Sequence, residues 1–247
     1  MDEEEDPGNL ETWEREEFQD DNTEVDTQVQ KLTEIQCVDE SDEEDDQVID
    51  PVFLIQEEID EIKFIKKLHE RGNGIIHQVL FNGEKSVSKT LHDEHDLFNL
   101  LDEAEILCHL KGAGGAPFLY GLSQVPARII MSFVGSPYEK YLQTRSEKDI
   151  VDSVISILDL LEEIHEAGVI HSDIKIDITV TYVGGVSFYF VDFGLSTMEG
   201  EILKLVGEGG KPWMSPESVN REPLSPASDV FSLGFLFNDI QSYVEKE

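Results

Sequence analysis

Two short stretches decide the fold: His171-Ser172-Asp173-Ile174-Lys175, and Phe188-Tyr189-Phe190-Val191-Asp192-Phe193-Gly194. The second is a buried-type apolar strand running into a polar loop. Alone, Asp173 and Asp192 could be ordinary turn or cap residues. What lies on either side gives them a context. Downstream come Ser215-Pro216-Glu217 and Asp229-Val230-Phe231-Ser232-Leu233-Gly234. Upstream stand Gly72-x-Gly74 with Val79, then Lys89, then Glu103. Singly, Lys89 reads as a solvated strand lysine and Glu103 as a surface helix charge. Their order along the chain is what carries information.

Hydrophobic periodicity places these residues on elements. Ile62, Phe64 and Ile65 open a strand-like run that ends at Gly72-Asn73-Gly74. Gln78–Phe81 and Ser86–Thr90 predict two strands joined by Asn82-Gly83, a strong hairpin signal. Val87 and Lys89 are two apart, so they share a face. Leu97, Leu100, Leu101, Ala104, Leu107 and Leu110 predict a helix over 94–110, which carries Glu103. Lys111–Pro117 is a glycine-rich break. Arg128–Phe133 predicts a buried strand. Residues 147–166 have the clearest helical spacing, and Ser228–Ile240 is apolar nearly all round, the mark of a central helix. Strands precede helices, which predicts an α+β protein with two unlike lobes.

In this order the motifs resemble the eukaryotic protein kinase superfamily over about residues 62–247. The resemblance implies a small β-rich lobe (about 61–134) and a larger helical lobe (about 135–247). It implies ATP and Mg2+ as cofactors and phosphoryl transfer to Ser/Thr of a protein substrate. The backbone at Gly72 and Gly74 would cover the phosphates. Val79 and Val87 would sandwich adenine, with Met131 at the back of the pocket and Ser132, Phe133 and Val134 as the hinge. Lys89 would hold the phosphates, with Glu103 directing it. Asp173 would receive or orient the substrate hydroxyl, Lys175 would neutralise the moving phosphoryl group, and Asp192 would ligate the metal. Such residue types suit a reaction whose catalysis is mostly positioning and charge neutralisation.

The sequence departs from the family pattern at several places. His77 replaces the third glycine of the phosphate loop. Ile178 stands where a second metal-ligating asparagine is expected, with Asp177 one position away. Ser172 replaces an arginine that pairs with loop phosphate, and no Ser, Thr or Tyr lies between Met198 and Met214, leaving Ser196 and Thr197. Lys211 is read as replacing a threonine that contacts Asp173 and the catalytic lysine. Only Gln241–Glu247 follow the central helix, so the larger lobe is expected to be incomplete, and Glu217 lacks its usual arginine partner. An alternative reading is therefore a pseudokinase, a nucleotide-binding or scaffold interaction module.

Composition bounds the rest. The formal net charge is −36 over 247 residues. Residues 1–60 hold 25 acidic and 2 basic side chains, a net of −23, and read as a disordered acidic tail. A second alternative follows, in which this tail captures basic proteins. Within the tail, Val29, Leu32, Ile35 and Val38 recur three apart, and Ser41 precedes an acidic run. So acidic a chain argues against direct nucleic-acid or anionic-membrane binding. Two cysteines, Cys37 and Cys108, make neither a disulfide framework nor a zinc cluster. With no signal peptide, a cytoplasmic or nuclear location is expected.

Overall fold

Strand β1 (Lys63–Arg71) begins a five-stranded antiparallel sheet with β2 (Gly74–Phe81), β3 (Glu84–Leu91), β4 (Leu119–Ser123) and β5 (Arg128–Ser132). The sheet order is β1-β2-β3-β5-β4. The computed structural model describes residues 51–71, 74–92, 97–176, 180–183, 187–204 and 210–244. The acidic segment 1–50, including Val29–Val38 and Ser41, lies outside them, as do Gly72, Asp177 and Ile178. The β2–β3 hairpin turns at Asn82 and Gly83, both at positive φ (52° and 84°), which matches the right-handed twist of the strands.

Residues 51–60, which composition assigns to the tail, are structured. Leu54 donates its N–H to the Leu122 carbonyl and Leu122 donates to Val52, each near 2.9 Å (2.8 and 2.9 Å). The segment thereby covers the otherwise open edge of β4. A one-turn helix, α1 (Gln56–Asp60), follows.

Helix α2 (Leu97–Leu110) packs Leu100, Ala104 and Leu107 into the core and carries a buried Glu103. After a 3-10 turn come the short β6 (Ser136–Pro137) and α3 (Tyr138–Leu142), and then α4 (Glu147–Glu166). Ser146 caps α4: its Oγ accepts the Asp149 N–H at 3.3 Å, while Asp149 reaches back to the Ser146 backbone. Short strands β7 (Val169–Ile170), β8 (Val180–Val183), β9 (Ser187–Phe190) and β10 (Thr197–Met198) then frame two loops. β6 pairs with β8, β8 with β9, and β7 with β10. Helices α5 (Pro216–Asn220) and α6 (Pro226–Val244) close the described chain. The arrangement is α+β, with the sheet first and the helices after it.

One continuous core joins the two parts. Leu107, Ile129 and Met131 from the sheet side share it with Ile157, Ile164, Phe190, Phe193 and Leu236. Helix α6 is buried at Ser228, Asp229, Ser232, Leu233, Leu236 and Ile240, but Val230, Phe231 and Phe235 are exposed. The all-round apolar pattern thus resolves into one packed face and one open apolar face. Among the described residues, no helix is long and apolar enough to cross a membrane.

The glycine-rich break after α2 has a steric cause. Gly114 adopts φ +62°, and a Cβ there would sit 2.2 Å from Ile164 Cγ1 and 2.7 Å from the Leu160 carbonyl oxygen of α4. Its N–H donates to Glu163 Oε2 at 2.9 Å, docking the break onto α4. Gly114→Ala must therefore push this turn away from α4, at a cost of about 2 kcal/mol or more. We expect the thermal midpoint to fall by roughly 5 °C or more. Gly83→Ala, in open space but at positive φ, should cost less. Equal losses in paired melting curves would refute this docking role.

Candidate active site

The functional residues converge around one partly buried ammonium group. Lys89 lies near the middle of β3, opposite Ile76 on β2 and Ile129 on β5. Its Nζ donates to Glu103 Oε2 at 2.7 Å and to Asp192 Oδ1 at 2.8 Å. Three elements far apart in sequence (β3, α2 and the loop after β9) are therefore tied by one cation. Burial works to lower the Lys89 pKa, but the Asp192 and Glu103 carboxylates outweigh it and hold the pKa above the usual lysine range. Lys89 in turn holds the Asp192 carboxyl down at about 2. Burial pushes the Glu103 carboxyl above the ordinary range, with Lys89 opposing the shift.

The turn at Asp192 fixes this geometry. Asp192 has left-handed backbone angles (φ 65°, ψ 61°) and precedes a 3-10 turn at Phe193–Leu195. The turn buries Phe193 against the His171 ring, with centroids 4.8 Å apart. His171 Nε2 bonds the Val191 carbonyl at 3.1 Å, and burial keeps this imidazole's pKa below the ordinary value.

The loop from His171 to Lys175 is held from α6. Asp229, fully buried, accepts the backbone N–H of His171 and of Ser172, each at 2.8 Å, and bonds His165 Nε2 at 2.9 Å. Ser172 takes positive φ (66°) there. Past this anchor, Asp173 Oδ2 accepts from Lys175 Nζ, and Oδ1 accepts from Trp213 Nε1 at 2.7 Å. The resemblance implies a threonine for this contact, with Lys211 read as standing in its place. Lys211 is exposed, and the side chain that arrives is Trp213. The signal for Trp213 was only its place just ahead of Ser215-Pro216-Glu217.

The expected nucleotide-contacting residues fall as follows. Val87 and Met131 are paired across β3 and β5, and Val79 is buried on β2. Ser132 donates its N–H to the Phe118 carbonyl and accepts the Phe118 N–H on Oγ, both at 2.9 Å, so these two groups are committed within the fold. Phe133 and Val134 follow, half-buried, before Gly135. Gly74 has a reason of its own within the sheet: a Cβ would lie 2.6 Å from the Thr90 carbonyl oxygen. His77 packs edge-on against Phe64 at 5.0 Å. Glu217, expected to need an arginine, instead accepts Ser228 Oγ at 2.7 Å. The Thr197 and Ser196 hydroxyls are engaged with Glu201 Oε2 (2.8 Å) and the His171 carbonyl (3.1 Å).

Comparison with known proteins agrees with this geometry. A family profile described as a protein kinase domain matches residues 56–243. The chain is similar to human serine/threonine-protein kinase PAK 4, 34% identical over 114 residues, which is 44% of this chain and 19% of that protein. It is also similar to calcium/calmodulin-dependent protein kinase type 1 of Macrobrachium nipponense, 30% identical over 93 residues (37% of this chain, 27% of that one). STE20 of Debaryomyces hansenii is 41% identical over 78 residues, covering 31% and 7% respectively. The aligned segments thus span less than a third of each relative's length.

The bridging ammonium makes a testable demand. Lys89→Met leaves a buried Glu103 and a partly buried Asp192 without their shared cation, which should cost about 3 kcal/mol at pH 7. In the parent, the lowered Asp192 pKa contributes stability above about pH 4, lost only as pH falls toward 2. In the variant, burial raises both carboxyls, so acid relieves them by protonation. The stability gap between the two proteins should narrow from pH 7 to pH 4 in urea unfolding. A gap independent of pH would show that the carboxylates do not depend on Lys89.

Proposed function

Because the chain belongs to the protein kinase domain family, we propose that it transfers the γ-phosphate of ATP to serine or threonine hydroxyls of a protein substrate. The observation that carries this reading is the Lys89 bridge between Glu103 and Asp192, next to the Asp173–Lys175 pair. It keeps one cation and one strongly ionised carboxylate in the same cleft. Lys89 orients the nucleotide phosphates, and Glu103 prevents it from swinging away. Val79, Val87 and Met131 line the adenine side, with Phe133 and Val134 as the hinge beside Ser132. Asp173 accepts the substrate hydroxyl's proton, and Lys175 steadies the transferring group's charge.

Asp192 suits Mg2+, which takes few carboxylates and completes its shell with phosphate oxygens and water. Its carboxyl is ionised throughout the physiological range. Among the described residues, no group of three or more His, Cys, Asp or Glu side chains forms a fuller metal cage. Bound Mg2+ supplies neutralisation of phosphate charge. Gly72, which would cover the phosphates, and Ile178, at the expected second metal position, lie outside the described residues. We place the protein in the cytoplasm or nucleus, with basic proteins as candidate partners of the acidic segment.

Ser172 bears on regulation. It is buried, its N–H is spent on Asp229, and it brings no charge to the loop. No Ser, Thr or Tyr lies between Met198 and Met214. Activity should therefore survive phosphatase treatment unchanged, and a large loss mapped to a loop site would contradict this.

The decisive measurement pairs binding with transfer. ATP with Mg2+ at about 100 times its dissociation constant should stabilise the chain by roughly 2.7 kcal/mol. Asp173→Asn should keep that stabilisation and lose about a hundredfold or more in transfer to a generic Ser/Thr substrate. Binding without transfer in the parent would favour the interaction-module reading, and no nucleotide response would remove both.

A further inference from the structure

Trp213 has no assigned part in the chemistry above, yet among the described residues its indole N–H is one of two side-chain donors to the Asp173 carboxylate. Three contacts close a triangle. Trp213 Nε1 donates to Asp173 Oδ1 at 2.7 Å, Lys175 Nζ donates to Asp173 Oδ2, and Lys175 Nζ also lies 5.6 Å from the centroid of the Trp213 ring. The same side chain thus meets the carboxylate through its polar edge and the ammonium through its π face. Asp173 is 8% exposed, so neither partner is readily replaced by bulk water.

Trp213 is itself fixed. Its carbonyl accepts Ser232 Oγ from α6 at 2.7 Å. The ring packs on the cluster of Ile170, Leu203, Met214 and Leu224. Helix α6 therefore holds the catalytic loop twice, through Asp229 on the His171 and Ser172 amides and through Ser232 and Trp213 on the Asp173 carboxylate.

We propose that Trp213 is a positioning residue, setting the Asp173 carboxylate and the Lys175 ammonium for the hydroxyl-accepting step. This rests on the kinase reading for its consequence, though not for its geometry. The chemistry of indole suits the task. It is a donor only, so it stabilises the ionised carboxylate without taking or giving the proton in transit. It uses one acceptor site of Oδ1 and leaves that oxygen capacity for a substrate hydroxyl. A lysine or arginine in its place would add a charge beside Lys175. A hydroxyl would lack the π face that Lys175 uses.

The test has a readout that needs no turnover. The chain has two tryptophans, Trp13 and Trp213, so indole-15N labelling gives two side-chain signals. We expect the Trp213 N–H to exchange slowly with solvent and to lose that protection in Asp173→Ala. In kinetics, Trp213→Phe should lower kcat about tenfold or more, the worth of one hydrogen bond to a charged group. KM for ATP should stay near the parent value. Trp213→His, which can donate from Nε2, should recover part of the loss. An indole signal that exchanges freely and ignores Asp173→Ala overturns the proposal. So does a Trp213→Phe rate equal to or above the parent, which would make the indole irrelevant or inhibitory. If the indole is protected and responds to Asp173→Ala while the parent transfers no phosphate, the kinase activity is what fails and the positioning contact stands.

Discussion

The rest of the site depends on a partly buried ammonium shared by two carboxylates. A lysine on a strand, a glutamate on a helix and an aspartate after a later strand have no reason to meet except mutual neutralisation. Each alone would be expensive to bury. Together, two carboxylates and one cation still leave an excess negative charge; burial raises the Glu103 pKa, while Lys89 holds the Asp192 pKa down. Such a cluster is poorly suited to stability for its own sake. A hydrophobic trio of similar size would fill the space at less electrostatic cost. Its arrangement makes sense where a charged ligand adds to it.

Helix α6 is the second organising element. Its buried face presents Ser228, Asp229 and Ser232, three polar groups beside Leu233, Leu236 and Ile240, and each is used. Ser228 Oγ donates to Glu217, Asp229 holds two loop amides, and Ser232 holds the Trp213 carbonyl. The loop from His171 to Lys175 makes no long regular ladder of its own. Its backbone donors must find partners or be left buried and unpaired. Asp229 supplies them, which explains why a carboxylate can sit fully buried at that point.

Much of this was legible in the residues. The helix over 147–166 coincides with α4, whose Ser146–Asp149 capping box marks its start. The Asn82-Gly83 hairpin and the strand bearing Lys89 follow equally local rules. The meeting of Lys89, Glu103 and Asp192 was legible only from the order of motifs, because no local pattern encodes contacts 14 and 103 residues apart. Other features escaped for definite reasons. β7 and β10 are two residues long, too short to show any alternation. Residues 52–54 pair with β4 through backbone groups alone, which an acidic composition conceals. Trp213 reaches Asp173 from a backbone that Ser232 holds, and no local pattern in the sequence marks that contact.

The departures from the family pattern follow a common theme. At Ser172 a long cationic side chain is replaced by a small buried one, at Glu217 the partner is a serine hydroxyl, and at Asp173 the donor is an indole. In each case an uncharged donor meets a carboxylate over a short distance, within one cluster around α6. Buried bonds of this kind are little screened by salt, and an indole or a backbone N–H is no acceptor for phosphorylation. A loop held this way is set when the chain folds. Control would then have to act elsewhere, and the site offers one place. The Lys89 bridge joins the sheet side to the helical side through charges whose balance a bound phosphate would change.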